Sequence, residues 1–322
     1  MCTAISYRSG QFYFGRTLDH DESYQEEVTV IPRHFPLSHL NTPTEHYAMI
    51  GMAHIAGGYP LLYDGVNEKA LAMAGLNFVG FAHYPPPEAD QQNVPAYALI
   101  SFILGECADV SEAKALLTNI RITNENYSQD LPCPSLHWII ADRTKSITVE
   151  ACRDGLHIYE NPVGVLTNNP PFDQQLQNLS NYSRLTERCV KSSFPGAPEL
   201  PFFGNGLGAI GLPGDFSSQT RFVRAAFFCG SSVRKLSETD CVSQFFHLLD
   251  GVAQIDGCCE LANGNYEKTV YSSCCNCEEG IYYYTSYSNR QITAVYMRHC
   301  DLNTDQLFRY PLLLTQSFKS QN

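Results

Sequence analysis

The chain has 322 residues, and 21 Lys and Arg against 33 Asp and Glu give it a formal charge of −12, which excludes a basic nucleic-acid-binding module. Apolar residues make up 44% and charged residues 17%, enough for a large core and without the composition of a disordered chain. Thirteen cysteines, an odd number, cannot all pair; MCTAISYRSGQFYFGR has no basic-then-apolar leader, and no apolar run nears the roughly 20 residues that span a bilayer. We therefore expect reduced thiols, a cytoplasmic location and no membrane partner.

Along the chain, CTAISYR and QFYFG flank Ser9 and Gly10 and read as a hairpin that begins at residue 2. Strand-like runs follow at Val28–Ile31, Tyr47–Met52, Leu136–Ala141, Ile147–Ala151, Leu156–Tyr159, Val163–Thr167, Ile281–Tyr287 and Ile292–Met297. Short turns separate most of them, which favours antiparallel pairing. Helical periodicity marks Val94–Gly105, Ser111–Leu117 with Asp109 or Ser111 as cap, Phe172–Cys189, Gln219–Cys229 and Glu238–Val252. The Pro- and Gly-rich stretch Ser193–Asp215 carries interspersed Leu, Phe and Ile and reads as a packed loop, not a linker. Strands around a few helices, with no repeat and no linker, predict an α+β fold with residues 1–322 as one domain.

Cys2 carries chemistry if Met1 is removed. It would then hold a thiol and its own α-amine, so that one residue supplies both nucleophile and base. Against this, a cysteine at position 2 can be merely a small strand residue. The return strand of the hairpin carries Arg16 and Asp19 to the same end, where a cation favours a thiolate and a carboxylate holds an ammonium. Charges after a strand are also commonly just solvated. The other cysteines are expected to be largely buried.

A metal site is the competing reading. Cys274 and Cys277 form a C-x-x-C, with Cys258 and Cys259 upstream and Cys275 between, and four thiolates suit tetrahedral zinc. A strand through this segment would point alternate cysteines to opposite faces, which argues for no metal. The ten histidines form no H-E-x-x-H or close pair, and the acidic run at 20–27 reads as a solvated loop.

In order and spacing, MCT, FGRTLD, YDGVNEKALAMAGLNF, SLHWIIAD, VGVLTNNP, GLPGDFSSQTRFVRAAF and GIYYYTSY resemble the choloylglycine hydrolase family over nearly the whole chain, and its bile-salt-hydrolysing members in particular. The resemblance implies the four-layer αββα sandwich of N-terminal-nucleophile hydrolases, cleavage of linear amide C–N bonds without a cofactor, and a homotetramer. By position it makes Cys2 the nucleophile, Arg16 the neighbour of its sulfur and Asp19 the partner of its α-amine. It makes Asn77 and Asn168 the oxyanion-hole residues and Arg221 the charged support behind them. Without it, Asn168 and Asn169 before Pro170 and Pro171 would read as turn chemistry.

Asn77 stands where the family's penicillin V acylases have an aromatic residue, which implies a glycine- or taurine-conjugated bile salt as the small-molecule partner. The groove positions fall on Leu18, Tyr63, Tyr127, Leu131 and Leu136, and Gly206-Leu207-Gly208 resembles the variant associated with glycine conjugates. The alternatives are an acylase for penicillin V or other N-acyl amides, acyl-homoserine lactones included, and a zinc-stabilised binding protein without catalysis.

Overall fold

The computed structural model describes residues 1–38, 45–190, 196, 200 and 204–322. Strands β1 (Cys2–Ser9) and β2 (Gln11–His20) form the opening hairpin, turning at Gly10 with φ +69°, and pair Cys2 with Leu18, Thr3 with Thr17 and Ala4 with Arg16. A meander follows: β3 (Glu27–Ile31), β4 (Met49–Ala56), β5 (Tyr59–Asn67) and β6 (Ala72–Asn77). Next come β7 (Gln92–Pro95), α1 (Leu99–Glu106), α2 (Val110–Leu117) and β8 (Ile120–Thr123). They lead into β9 (Leu136–Ala141), β10 (Ser146–Cys152), β11 (Gly155–Glu160) and the short β12 (Val165–Leu166). The remainder is α3 (Phe172–Asn178), α4 (Ser218–Ser231), α5 (Glu238–Asp250), β13 (Lys268–Asn276), β14 (Ile281–Ser286), β15 (Thr293–Tyr296) and β16 (Phe308–Pro311).

Two antiparallel sheets result, ordered β12-β1-β2-β13-β14-β15 and β11-β10-β9-β6-β5-β4-β3-β16, with β7 and β8 as a separate parallel pair. One apolar cluster fills the space between the sheets (Ala4, Phe14, Met52, Ala74) and continues to the helices on the outer face of the six-stranded sheet (Phe222 and Ala225 of α4, Phe245 and Leu249 of α5). A second cluster joins the other face of the eight-stranded sheet to Leu99, Phe102 and Ile103 of α1 and to Val110 and Leu117 of α2. The layering is the αββα sandwich that the resemblance implies. Among the described residues no helix is long and apolar enough to cross a membrane.

Several element boundaries differ from the sequence reading. Strands β5, β6 and β16 carried no alternation to read; β5 and β6 are buried on nearly every residue, which erases the period of two, whereas the strand invoked through Cys274 and Cys275 is present as β13. The expected helix at Val94–Gly105 starts later, because Pro95 has ψ 140° and its residues Val94 and Pro95 join β7. The expected helix Phe172–Cys189 stops at Asn178 and gives way to a 3-10 turn over Leu179–Tyr182, where Ser180 and Asn181 offer side-chain competitors to the helical ladder. Asp109, not Ser111, caps α2, accepting from the backbone N–H groups of Ser111 and Glu112. Of the expected loop Ser193–Asp215, residues 193–195, 197–199 and 201–203 lie outside the described residues. Glu26 and Glu27 of the acidic run are buried: Ser23 and the Tyr24 N–H donate to Glu26, and Arg309 pairs with Glu27 at 2.6 Å.

Candidate active site

The hairpin delivers Cys2 to the space between the sheets beside Leu18, where it is 4% exposed. Close strand packing there depends on Gly15: a Cβ would meet the Ser273 carbonyl oxygen at 2.0 Å, so only glycine lets β13 close onto β2. Both sides of the bond between Met1 and Cys2 are hydrogen-bonded. Asp19 N–H donates to the Met1 carbonyl at 2.8 Å, and the Met1 ammonium donates to the Asp19 carbonyl at 2.6 Å and to Glu267 Oε1. Cys2 N–H donates to Asn168 Oδ1 at 2.7 Å, and the Cys2 carbonyl accepts from Arg221 Nη1 at 2.6 Å.

Arg16 crosses from β2 to the opposite sheet. Its Nη1 donates to the Gly75 carbonyl at 2.6 Å and to the Tyr63 carbonyl at 3.0 Å. Burial alone would lower its pKa, but the facing Cys2, Tyr271 and Asp64 outweigh that and hold it above its ordinary value. Asp64 is a buried carboxylate that accepts from the hydroxyls of Tyr271 at 2.8 Å and Tyr282 at 2.6 Å. Burial pushes its pKa up against the pull of Arg16 and the two tyrosines.

On the other face of β2, Asp19 accepts from Thr269 Oγ1 at 2.6 Å and from Thr17 Oγ1 at 3.2 Å, with Arg221 Nη1 at 3.9 Å. Burial raises its pKa, opposed by Arg221 and the chain-start ammonium. Arg221, on the first turns of α4, is wholly buried, and this pulls its own pKa down against Asp19 and Cys2. Its guanidinium reaches Cys2, Thr3 Oγ1 at 2.6 Å and Asn168 Oδ1 at 2.8 Å.

Asn168 is the point where the segments meet. Its Oδ1 accepts from β1 and α4, its Nδ2 donates to the Asn77 carbonyl at 2.8 Å, and its own N–H donates to Ser218 Oγ at 2.8 Å. Local turn chemistry does not account for a side chain committed to three other elements. His137 supports the same loop from behind, bridging Glu150 at 2.9 Å and the Thr167 carbonyl at 2.8 Å. All six residues singled out for chemistry thus fall in one connected cluster.

Of the five groove residues, Tyr63, Tyr127, Leu131 and Leu136 line one largely apolar cavity of about 310 Å³, with Gly75 in its wall. Because the Gly75 carbonyl also accepts from Arg16, this cavity abuts the Cys2 cluster. Leu18 is the exception: at 7% exposure it packs in the inter-sheet core opposite Cys2 instead of in the cavity wall. Gly206, Leu207 and Gly208 are not among the cavity walls either; Leu207–Ala209 is a 3-10 turn tied to Thr186. The sequence reading missed Tyr97, His54 and Asp130 in the walls, and also Thr17, Thr269 and Glu267. Only Thr17 had a usable signal, its spacing of two from Asp19 on a strand.

All thirteen cysteines are free thiols, but fewer are buried than the sequence led us to expect. Seven are buried, four are intermediate, and Cys189 and Cys258 are exposed. Burial pushes Cys107 and Cys229 up to about 12 and Cys133 and Cys152 up to about 11. Cys274 and Cys277, the C-x-x-C of the zinc reading, and Cys275 between them are core residues whose thiols burial raises above their ordinary value. Among the described residues no three His, Cys, Asp or Glu side chains are grouped to hold a metal.

Comparison with known proteins places this geometry. Residues 2–310 match the family model described as linear amide C-N hydrolases, choloylglycine hydrolase family. The bile salt hydrolase/transferase of Lactiplantibacillus plantarum is 47% identical over 97% of this chain and 97% of its own. The crystal structure of a mutant conjugated bile acid hydrolase from Clostridium perfringens superposes with a TM-score of 0.92 at 35% identity, covering 100% of both chains. The penicillin V acylase of Agrobacterium tumefaciens shares the fold at a TM-score of 0.77 and 20% identity, covering 96% of this chain and 90% of that one. The chain belongs to the choloylglycine hydrolase family of linear amide C–N hydrolases.

Proposed function

We propose that the chain hydrolyses the amide bond of glycine- or taurine-conjugated bile salts, with Cys2, freed of Met1, as the nucleophile. The observation that carries this is the position of Cys2: its side chain faces the inter-sheet space beside Arg16, whose guanidinium reaches the carbonyls of the cavity-wall residues Tyr63 and Gly75, while its backbone N is held by Asn168. The names of the relatives supply the substrate class.

In the first step the α-amine takes the thiol proton, and Cys2 Sγ adds to the amide carbonyl carbon. The carbonyl oxygen becomes an oxyanion, which the Asn77–Asn168 corner stabilises with neutral amide donors. Collapse breaks the C–N bond, the α-ammonium returns its proton to the departing nitrogen, and a thioester remains with free glycine or taurine. Water, deprotonated by the same amine, adds to the thioester and releases the bile acid and the thiol. Arg16 faces the sulfur throughout, and Arg221 keeps Asn168 and the Cys2 carbonyl in place.

Residues 1–322 form one domain in this reading, supported by the family match over 2–310 and the apolar cluster that both sheets share. A cytoplasmic location fits thirteen free thiols, and the homotetramer rests on family resemblance alone.

The walls formed by Tyr63, Leu131 and Leu136 suit a broad apolar body, so the steroid is the main recognition element. In a side-by-side assay we expect both conjugates to be cleaved at least about tenfold faster than penicillin V in kcat/KM. Equal or faster cleavage of penicillin V overturns the substrate while leaving the nucleophile standing. The Gly206–Gly208 turn gives little support to a glycine preference, since it stands outside the cavity.

Thiol labelling gives a second check. With limiting iodoacetamide, Cys189 and Cys258 are expected to react because they are exposed, yet loss of activity should follow label at Cys2 alone in peptide maps. Inactivation that tracks Cys258 instead would remove Cys2 from the reaction.

A further inference from the structure

Excision of Met1 takes away the cation that a buried carboxylate holds. Glu267, 7% exposed, lies just before β13, receives the chain-start ammonium on Oε1, and has the Cys259 thiol 3.9 Å from Oε2. Successive backbone nitrogens are under about 4 Å apart, so Glu267 stands within about 6 Å of the atom that becomes the new α-amine.

Leaving such a carboxylate buried and unpaired is unfavourable. The neighbouring cations are already engaged: Arg221 with Cys2, Thr3, Asn168 and the Phe216 carbonyl, and Arg16 with Tyr63, Gly75 and Thr17. The one cation that excision creates is the ammonium of Cys2. Resting on the function proposed above, we propose that Glu267 is a positioning residue for the base: it holds the Cys2 α-ammonium beside the thiol and sets the pH below which that amine no longer accepts the thiol proton.

The groups that face this amine are Asp19 from β2, Arg221 from α4, the Cys2 thiol with Arg16 of β2 beyond it, and Cys259 and Glu267 from the segment leading into β13. Glu267 belongs to the same electrostatic cluster as Asp19, whose pKa it helps raise, and Arg221. Asp19 divides its oxygens between the hydroxyls of Thr17 and Thr269 with Arg221 behind, whereas Glu267 has an oxygen directed at the chain start. A negative charge this close favours the ammonium form, and its removal lets the amine lose its proton at lower pH.

The test uses protein shown by intact mass to lack Met1, in the wild type and in Glu267→Gln and Glu267→Asp. The α-amine is titrated by NMR in [15N]cysteine-labelled protein, and kcat/KM is measured against pH. In Glu267→Gln the amine titration and the acid limb should both move down by about one pH unit. In Glu267→Asp, which keeps the charge, they should return most of the way. Superimposable titrations for wild type and Glu267→Gln overturn the proposal. If Glu267→Gln does not fold, Glu267→Ala is titrated in its place, and an amine that titrates there as in the wild type overturns the proposal. The NMR titration reads the amine whether or not bile salts are the substrate, so a failure of the functional reading, seen as activity surviving Cys2→Ala, is told apart from a failure of this one.

Discussion

Replacing Cys2 with alanine is expected to lower kcat by at least about 10⁴-fold without unfolding the protein. The side chain is small and 4% exposed between the sheets, so losing one sulfur costs on the order of 1 kcal/mol of packing. The main-chain bonds from Cys2 N–H to Asn168 and from Arg221 to the Cys2 carbonyl do not involve the sulfur and remain. The hairpin register with Leu18 is likewise untouched. Cys2→Ser keeps a nucleophilic atom but not the ionisation, and should be slower than wild type by about 10²-fold or more. Thermal unfolding of both variants should stay within a few degrees of wild type while turnover of a conjugated bile salt collapses. The same experiment bears on Met1: full turnover by protein whose intact mass includes Met1 would rule out the free α-amine as base, because in that form the Cys2 nitrogen is an amide donating to Asn168.

Much of this site could be read before any coordinates, and the reasons differ by residue. Cys2, Arg16 and Asp19 belong to one hairpin whose turn at Gly10 is a local signal, so their convergence follows from counting residues along two strands. Asn77, Asn168 and Arg221 come from three separate segments. Nothing local announces that Asn168 would join Cys2 to Asn77, and those positions were reached only through resemblance. The same limit explains what was missed. Asp64 meets Tyr271 and Tyr282 across more than two hundred residues, which needs the two sheets to stack, and Glu267 meets Met1 from the far end of the chain, which needs β13 to pair with β2. Strands β5 and β6 escaped for the opposite reason, since burial on both faces removes the alternation by which a strand is recognised. Leu18 was assigned to the groove by position, but its pairing with Cys2 turns it into the core.

Asn168→Ala is expected to lower kcat by about 10²- to 10³-fold with little change in KM, because the residue anchors reacting groups and not the substrate's apolar body. Its side chain has two kinds of partner. Oδ1 accepts from Cys2 N–H and Arg221 Nη2, and Nδ2 donates to the Asn77 carbonyl, so truncation leaves two buried donors and one partly exposed acceptor without their partner. Each buried group stranded in this way costs about 1–3 kcal/mol, less whatever water recovers, so the variant should also unfold at a measurably lower temperature. The cavity walls at Tyr63, Tyr127, Leu131 and Leu136 belong to other segments, which is why binding should survive. Asn168→Asp separates the two roles. It keeps an acceptor for Cys2 and Arg221, and should recover much of the stability through an ion pair with Arg221. It also gives up the amide donor and sets a negative charge where the oxyanion forms, so kcat should fall at least as far as in Asn168→Ala. An Asn168→Asp enzyme with near-normal kcat would show that the amide donor has no part in stabilising the oxyanion.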